Sequence, residues 1–427
     1  MAAGPSIDQE RLWADVMALA AITDPQRPYT RRSFSPLFVE GRAWLRDRFA
    51  AAGLKVRIDP GGNLIGRMEG NNPVLPAIML GSHSDTVPSG GRFDGVAGLV
   101  AALEVTRALG AGDRPRHALE VVDFLAEEPS EFGVSCVGSR AMAGLLLPDM
   151  LDYTAANGER LGDAIDRIGG ATRRLTEARR SDIAAYLELH IEQGVVLESK
   201  QVDVGVVTGI VGIARLEVVF QGAADHAGTT PMTLRRDAAV AAARSISFAA
   251  ERATALSVAG RGHFVATTGI VEVEPNAANV VPGRAHIVFD IRAEDRELSQ
   301  GFIAELKKAT AAIAKECRVE RTRFALLSDV APVACDNQLE DALARSAARL
   351  GLSVLRLASG AGHDAAFVAG IAPSAMLFIP CRGGKSHAPD EWAEPSGLAA
   401  GASVLLETVC LIDQEMRTNV RIGARGT

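Results

Sequence analysis

The first part of the chain alternates between two hydrophobic patterns. One has apolar residues at helical spacing, and the other has short, continuous apolar runs that end at turns. The runs predict strands at Val74–Gly81 and Leu119–Ala126, and the helical spacing predicts helices at Phe38–Ala52 and Val96–Leu109. Strands that alternate with helices are typical of an α/β sheet covered on both faces.

The pattern changes between residues 213 and 330. It predicts strands at Ala214–Gln221, Phe264–Glu274, Arg284–Arg292 and Val319–Leu327, and helices at Asp237–Ala255 and Leu298–Cys317. The order β-α-β-β-α-β is that of a small ferredoxin-like domain. The α/β texture then returns, with a predicted helix at Leu339–Leu350 and a strand at Ser374–Ile379. We therefore predict one domain from residues 1–212 and 331–427, interrupted by an inserted domain at 213–330.

Composition excludes several classes of function. The formal net charge of −7, without a sustained basic stripe, argues against a nucleic-acid partner. Five cysteines without C-x-x-C spacing indicate neither a disulfide framework nor a cysteine zinc site. We expect no signal peptide at Met1–Trp13, and no membrane span, because no run of eighteen uninterrupted apolar residues occurs. These features predict a cytoplasmic protein.

Histidines and acids cluster where strands are predicted to end. In an open α/β sheet, functional residues gather beyond the carboxyl ends of the strands. Imidazole and carboxylate groups are ligands for zinc, manganese and cobalt, and a bridging carboxylate is typical of paired metals. Singly, each residue could be a surface or capping residue, but together they predict a metal site. The candidates are His83, Asp85, Asp94, Glu127, Glu128, His190 and His387.

Five motifs make the sequence resemble a known family. They are GSHSDTVP at 81–88, GRFDG at 91–95, ELHIEQG at 188–194, HAGTTPM at 226–232 and GAGHDA at 360–365. Their order resembles the hydantoinase/carbamoylase branch of the M20 metallopeptidases. That branch includes allantoate amidohydrolases, N-carbamoyl-L-amino acid hydrolases and β-ureidopropionases. The resemblance implies a catalytic domain with a mixed sheet flanked by helices, and an insert that serves as a lid and a dimerisation domain.

The resemblance implies two divalent metal ions per subunit. The metal would be zinc, or else manganese or cobalt. His83 and His190 would bind one ion, and Glu128 and His387 would bind the other. Asp94 would bridge the two ions.

The resemblance also implies roles for residues that are not ligands. Glu127 would be the general base that deprotonates the attacking water and then protonates the leaving nitrogen. Asp85 is well spaced to orient His83. His226, in the insert, would polarise the scissile carbonyl and stabilise the oxyanion, within its own subunit or across a dimer. His363 and Asp364 are expected to line the pocket.

Four residues are candidates for holding the substrate. Asn279 and Arg292 resemble the substrate-holding pair of the family, and Arg292 suits a carboxylate because guanidinium binds it through two hydrogen bonds. Gln193 and Arg215 are weaker candidates. We therefore expect a small-molecule substrate that carries a carboxylate, and a homodimer formed through the insert, with hinge motion closing the site.

The leading hypothesis is hydrolysis of a C–N bond in an N-carbamoyl or ureido acid, such as an N-carbamoyl-L-amino acid, ureidopropionate or an allantoate-like compound. An M20-type dipeptidase or deacylase is one alternative, and a catalytically silent dimeric binding protein is another. The presence of Glu127, the expected general base, argues against a catalytically silent binding protein. Glu131 stands close to the acid pair where many relatives have a basic residue, and this departure leaves the choice among these substrates open.

Overall fold

The structure, a computed structural model, describes residues 5–112, 114–260 and 262–415. The chain divides into two compact units. The first unit comprises the residues up to Thr208, Cys335–Leu357 and the residues from His363 onward. The second unit comprises Gly209–Ala334 and Ala358–Gly362.

The described residues form the following elements. The strands are β1 Lys55–Ile58, β2 Leu64–Met68, β3 Ala77–His83, β4 Leu119–Phe124, β5 Ile183–Ile191, β6 Val204–Ile210, β7 Gly212–Gln221, β8 Asp225–His226, β9 Phe264–Glu274, β10 Val280–Val281, β11 Arg284–Ala293, β12 Glu320–Val330, β13 Val333–Ala334, β14 Val354–Ser359 and β15 Ser374–Ile379. The α-helices are α1 Gln9–Ala21, α2 Pro36–Ala51, α3 Val96–Gly110, α4 Val137–Ala143, α5 Leu161–Arg167, α6 Val196–Lys200, α7 Ala238–Val258, α8 Arg296–Glu316, α9 Asn337–Arg349, α10 Ala365–Val368 and α11 Pro395–Glu415. Short 3₁₀ segments lie at Pro148–Asp152, Thr172–Ala178, Met232–Leu234 and Arg382–Gly384.

A mixed sheet organises the first unit. Its strand order is β1-β2-β4-β3-β5-β15-β6-β13, with β14 also paired to β6. The four central strands β4, β3, β5 and β15 are parallel, whereas β2 and β6 pair antiparallel to this group. Because parallel strands run in one direction, their carboxyl ends meet at one edge of the sheet.

Helices contact both faces of this sheet. Helices α3 and α11 pack on one face, where Leu80, Val121, Leu187 and Leu377 belong to the main hydrophobic core. The helices α4 and α10 also contact the central strands. All six residues of β4 are buried, as expected for a strand covered on both sides. The predicted mixed sheet flanked by helices is confirmed.

Helix α11 is long and apolar enough to cross a membrane, judged by length and composition alone. In the structure it contacts α3, α9 and β15, and Leu398, Val404, Leu405 and Val409 are buried in the core of the first unit. This burial is the behaviour of a core helix, and the apolar sequence is satisfied by packing.

The second unit has the element order β7-α7-β9-β11-α8-β12. Its sheet is antiparallel throughout, in the order β12-β7-β11-β9, and both helices pack on it around one hydrophobic core. Asp237 caps α7 and Asp295 caps α8, and each carboxylate accepts two backbone N–H groups of its helix. The main segment of this unit is Gly209–Ala334, whereas the predicted insert was 213–330.

Most predicted elements lie where the pattern placed them. The strands Phe264–Glu274 and Ser374–Ile379 are confirmed at both ends. The strand predicted at Val74–Gly81 is β3, Ala77–His83, so His83 belongs to the strand instead of following it. Among the strands that the pattern analysis missed are β1, β2, β5 and β6, of which β1 is a short strand at the edge of the sheet.

Candidate metal centre

The parallel strands bring the predicted ligands to one edge of the sheet. His83 is the last residue of β3, Glu127 and Glu128 follow β4 after two residues, and His190 is the penultimate residue of β5. His387 lies in the segment that follows β15. The close spacing therefore follows directly from strand direction.

Two groups of three donor residues share one carboxylate. His83, Asp94 and His190 form one group, and Asp94, Glu128 and His387 form the other. Within each group, one ligand atom from each residue lies within 4.8 Å of the others. The Asp94 Oδ1 atom is 3.1 Å from His190 Nε2 and 3.6 Å from His83 Nε2, and its Oδ2 atom is 2.9 Å from His387 Nε2. Asp94 is placed as a bridge would be.

Backbone carbonyl groups fix the orientation of two imidazoles. His83 Nδ1 lies 3.0 Å from the carbonyl oxygen of Asp85, and His190 Nδ1 lies 2.9 Å from that of Ile191. An N–H at Nδ1 donates to each carbonyl, so that Nε2 of each ring faces Asp94; His190 Nε2 also lies 3.2 Å from the backbone nitrogen of Gly95. This arrangement is common for metal-binding histidines.

The electrostatics of the cluster match a pair of cations. Burial raises the pKa of Asp94, but hydrogen bonds from His190, His387 and His83 outweigh it and hold that pKa well below its usual range. Hydrogen bonds to Asp94 and Glu128 raise the pKa of His387 to about 10. The carboxylates thus require positive charge, which protonated imidazoles provide when no metal is bound. The donor set fits divalent metal ions. Its assignment to two ions stays a prediction.

Glu127 belongs to neither group of three donors. Its side chain is buried, and burial raises its pKa well above the usual range. Its Oε2 atom lies 3.6 Å from His83 Nε2, and the Cys136 thiol lies 3.6 Å from its Oε1 atom. Glu127 is therefore a buried carboxylate that lies beside the donors but outside both groups. Cys136 was missed from sequence, because no motif or spacing links it to the acid pair.

A glycine is required where the Asp94 segment enters helix α3. Gly95 has φ 65°, and a Cβ atom there would lie 2.5 Å from His83 Nε2. The close approach of this backbone to the imidazole leaves room for glycine alone. The sequence GRFDG is thus explained by packing as well as by chemistry.

Two predicted residues make contacts in addition to those that their expected roles require. The Asp85 carboxylate accepts the backbone N–H groups of Glu127 and Glu128 at 3.2 and 3.3 Å, whereas its carbonyl oxygen orients His83. Gln193, expected near the substrate, donates from Nε2 to Asp94 Oδ2 at 3.0 Å. Asp85 therefore supports the acid pair as well as the imidazole, and Gln193 contacts the central carboxylate.

The second unit places the other predicted residues in two local pairs. His226 in β8 is paired with Val280 in β10, so His226 and Asn279 are neighbours, and both are exposed. In the sheet of this unit, Arg292 Nε donates to Asp290 Oδ1 at 2.8 Å and Arg215 Nε lies 3.4 Å from Asp290 Oδ2. Their action on a substrate stays a prediction.

The remaining histidines differ in their surroundings. The His363 ring is buried against the His190 ring, with centroids 4.6 Å apart, and the neighbouring Asp364 is fully buried and accepts a hydrogen bond from Ser139 at 2.5 Å. His117 Nδ1 lies 2.8 Å from Asp413 Oδ1, and neither residue belongs to one of the five motifs. His263 and His286 lie in the second unit.

Comparison with known families supports the resemblance. Residues 79–410 match the model of peptidase family M20/M25/M40. The match covers all five motifs and all five candidate ligands.

Individual relatives are similar along nearly the whole chain. An N-carbamoyl-L-amino acid amidohydrolase of Geobacillus stearothermophilus is 39% identical over 412 residues, covering 96% of this chain and 99% of the relative. A ureidoglycolate hydrolase of Arabidopsis thaliana is 35% identical, covering 96% and 87%. The crystal structure of an amidase of the hydantoinase/carbamoylase family from Burkholderia multivorans has a TM-score of 0.87 at 34% identity, covering 95% and 98%.

Proposed function

The chain belongs to the M20/M25/M40 peptidase family, in its hydantoinase/carbamoylase branch, and on that basis we propose that it is a metal-dependent amidohydrolase of small N-carbamoyl or ureido acids. The observation that carries the proposal is the shared carboxylate of Asp94 between two donor groups, with Glu127 beside them but outside both. The similar relatives named for N-carbamoyl amino acids and ureidoglycolate support the substrate class.

We assign the chemistry as follows. His83 and His190 would hold one divalent ion, zinc, manganese or cobalt, and Glu128 and His387 the other, with Asp94 shared. The ions, when bound, would supply Lewis acidity that lowers the pKa of water and polarises the scissile carbonyl.

We assign both proton transfers to a side chain of the protein. Glu127 takes a proton from the attacking water and returns it to the leaving nitrogen, and its buried position keeps competing solvent away. The raised pKa of Glu127 suits a group that must both accept and donate a proton.

The second unit supplies the remaining groups in this proposal. His226 stabilises the developing oxyanion, Asn279 and Arg292 hold the substrate, and Arg292 binds its carboxylate. Gln193 of the first unit and Arg215 of this unit are weaker candidates for contact with the substrate. We further propose that this unit is a ferredoxin-like dimerisation and lid domain, and that the enzyme acts as a homodimer in the cytoplasm.

A substrate panel tests the function. The protein, reconstituted separately with zinc, manganese and cobalt, is given N-carbamoyl-L-amino acids, N-carbamoyl-β-alanine, allantoate and dipeptides. We expect ammonia release from a carbamoyl or ureido acid at a higher kcat/KM than any dipeptide cleavage. Preferred cleavage of dipeptides would support the dipeptidase alternative. Metal binding without turnover of any compound would favour the silent binding protein.

A complementation experiment tests the role of the dimer. A Glu127→Gln subunit is mixed with a His226→Ala subunit under conditions of subunit exchange. If His226 acts on the partner's site, the mixed dimer regains one intact site and measurable turnover. Inactive heterodimers, verified by mass, would mean that His226 serves its own subunit.

A further inference from the structure

We propose that Glu391 is a positioning residue that fixes the segment carrying Asp94 to the segment carrying His387. The inference rests on the metal site of the proposed function, and it assigns a role to a residue outside both groups of candidate ligands. Glu391 lies 297 residues from Asp94 in the chain but in contact with it in the fold.

Both oxygens of the Glu391 carboxylate are used. The side chain is completely buried. Its Oε1 atom accepts the backbone N–H groups of Phe93 at 2.7 Å and Asp94 at 3.2 Å. Its Oε2 atom accepts the hydroxyl of Ser386 at 2.9 Å. Glu391 therefore joins the backbone at Asp94 to the residue that precedes His387.

The hydrogen bonds continue to the bridging carboxylate. The Ser386 hydroxyl lies 3.2 Å from Asp94 Oδ2, and Gln193 Nε2 lies 3.0 Å from the same oxygen and 3.1 Å from Ser386 Oγ. The backbone of Asp94 is thus held by Glu391 and its side chain by Gln193, while the one hydroxyl proton of Ser386 is shared between Glu391 Oε2 and Asp94 Oδ2. A ligand held at both places needs little rearrangement to bind an ion.

Gly91 leaves the space that Glu391 occupies. A Cβ atom at Gly91 would lie 1.8 Å from Glu391 Oε1, and the three nearest atoms to that position all belong to the Glu391 carboxylate. An alanine at this position would displace the carboxylate without removing its charge.

A buried carboxylate close to Asp94 is costly for the fold alone. Burying a charge beside a like charge is unfavourable unless hydrogen bonds or cations compensate. Glu391 has three hydrogen bonds, and all of them lead to the two ligand segments. We therefore explain the buried position of Glu391 by its contacts with the segments that carry Asp94 and His387.

The first test compares metal affinity in three variants. The metal-free protein is titrated with zinc in competition with a chromophoric chelator, and its melting temperature is measured separately. Glu391→Asp keeps the charge but withdraws the carboxylate, and we expect it to weaken zinc binding about 10- to 100-fold, the usual effect of such partners. Glu391→Gln can still accept both N–H groups through its amide oxygen and donate to Ser386, so it should stay within about threefold of wild type by the same reasoning.

Glu104→Ala is the matched control. Glu104 is also fully buried in the first unit and accepts a backbone N–H, that of Asp8. Its removal should lower the melting temperature without changing zinc affinity. Unchanged affinity in Glu391→Asp, or equal weakening in Glu104→Ala, would overturn the proposal.

The second test uses Gly91. Gly91→Ala should weaken zinc binding in the wild type, because the new methyl group displaces Glu391. In a Glu391→Ala background the methyl group meets empty space, and adding Gly91→Ala should cause no further loss. Losses that multiply would show that Gly91 acts independently of Glu391, against the proposal. A wild type that binds no pair of ions would instead contradict the proposed function.

Discussion

Three candidate ligands of the first unit and two candidate residues of the second unit occupy very different surroundings, whereas the candidate ligand His387 is about half-exposed. In the first unit, His83, Asp94 and His190 are at most 4% exposed and contact one another. In the second unit, His226 and Asn279 are exposed. The first set is a fixed arrangement of titratable groups, whereas the second set is open to solvent.

This difference indicates that the two regions have different functions. Buried ionisable groups are costly to assemble, so a cluster of them marks a place where charge is needed at defined positions. Exposed groups cost little and can move to meet a ligand. Mutations in the first region should therefore affect the chemical step and the fold, and mutations in the second should affect binding.

The largest expected effect is at the base. Glu127→Gln should lower kcat by about 10²- to 10⁴-fold, because proton transfer is lost while the ligand groups remain. Metal content, measured by elemental analysis, should stay at the wild-type level. Asp94→Ala is the contrasting variant, since removal of the shared carboxylate should lower metal occupancy as well as activity. Near-normal turnover in Glu127→Gln at full occupancy would remove Glu127 from the mechanism.

The same contrast between buried and exposed groups applies to ion pairs. Arg42 and Asp123 are buried, with Arg42 Nε 2.9 Å from Asp123 Oδ2. Arg42→Ala leaves the Asp123 carboxylate without its cation and should lower the free energy of unfolding by about 3–5 kcal/mol in urea denaturation. The pair of Arg244 and Glu316 is about half-exposed, and Arg244→Ala should leave the melting temperature unchanged. Equal losses of stability in Arg42→Ala and Arg244→Ala would contradict the distinction between buried and exposed ion pairs.

Arg292 provides a smaller, binding-specific effect. Arg292→Ala should raise KM about 10- to 100-fold for a substrate with a carboxylate and alter kcat little, since a hydrogen bond to a charged group contributes about 1.5–3 kcal/mol. An amide analogue of the substrate should show no such difference between Arg292→Ala and wild type. Loss of kcat at constant KM would place Arg292 in the chemical step.

The last effect is graded, because it is set by pH and amounts to about tenfold in metal affinity per pH unit. The pKa of His387 is raised to about 10 by hydrogen bonds to Asp94 and Glu128, so the metal-free protein carries a proton there at neutral pH. Metal binding must displace that proton, and affinity should therefore rise with pH by about tenfold per unit for each proton released, levelling off near pH 10. Zinc titrations between pH 6 and 8 measure the slope. A flat profile would mean that His387 releases no proton on binding.

The chemistry of the first region was largely visible in the sequence. His83, Glu127 and Glu128 stand at the ends of apolar runs, so the pattern that predicts buried strands also places these residues at one sheet edge. Asp94 is marked by the glycines around it, which the close approach of the backbone to His83 explains.

Other parts could not be predicted from the sequence. The neighbours of a strand depend on tertiary packing, so the position of β15 between β5 and β6 has no local signal. The contact of Glu391 with Asp94 joins segments almost 300 residues apart. Glu391 lies only four residues after His387, and that proximity to a predicted ligand was the one available signal.

The place of β15 in the sheet has a consequence for synthesis on the ribosome. Strands β5 and β6 are made early, but the strand between them comes from residues 374–379, and helix α11 follows later still. The second unit is nearly continuous in sequence and, apart from Ala358–Gly362, is fully translated by residue 334. Because domains fold as units while the chain emerges, the second unit is complete while the first still has a gap in its sheet. During that interval the nascent chain exposes apolar strand surface, and the segment from residue 374 to residue 387 both closes the sheet and delivers His387.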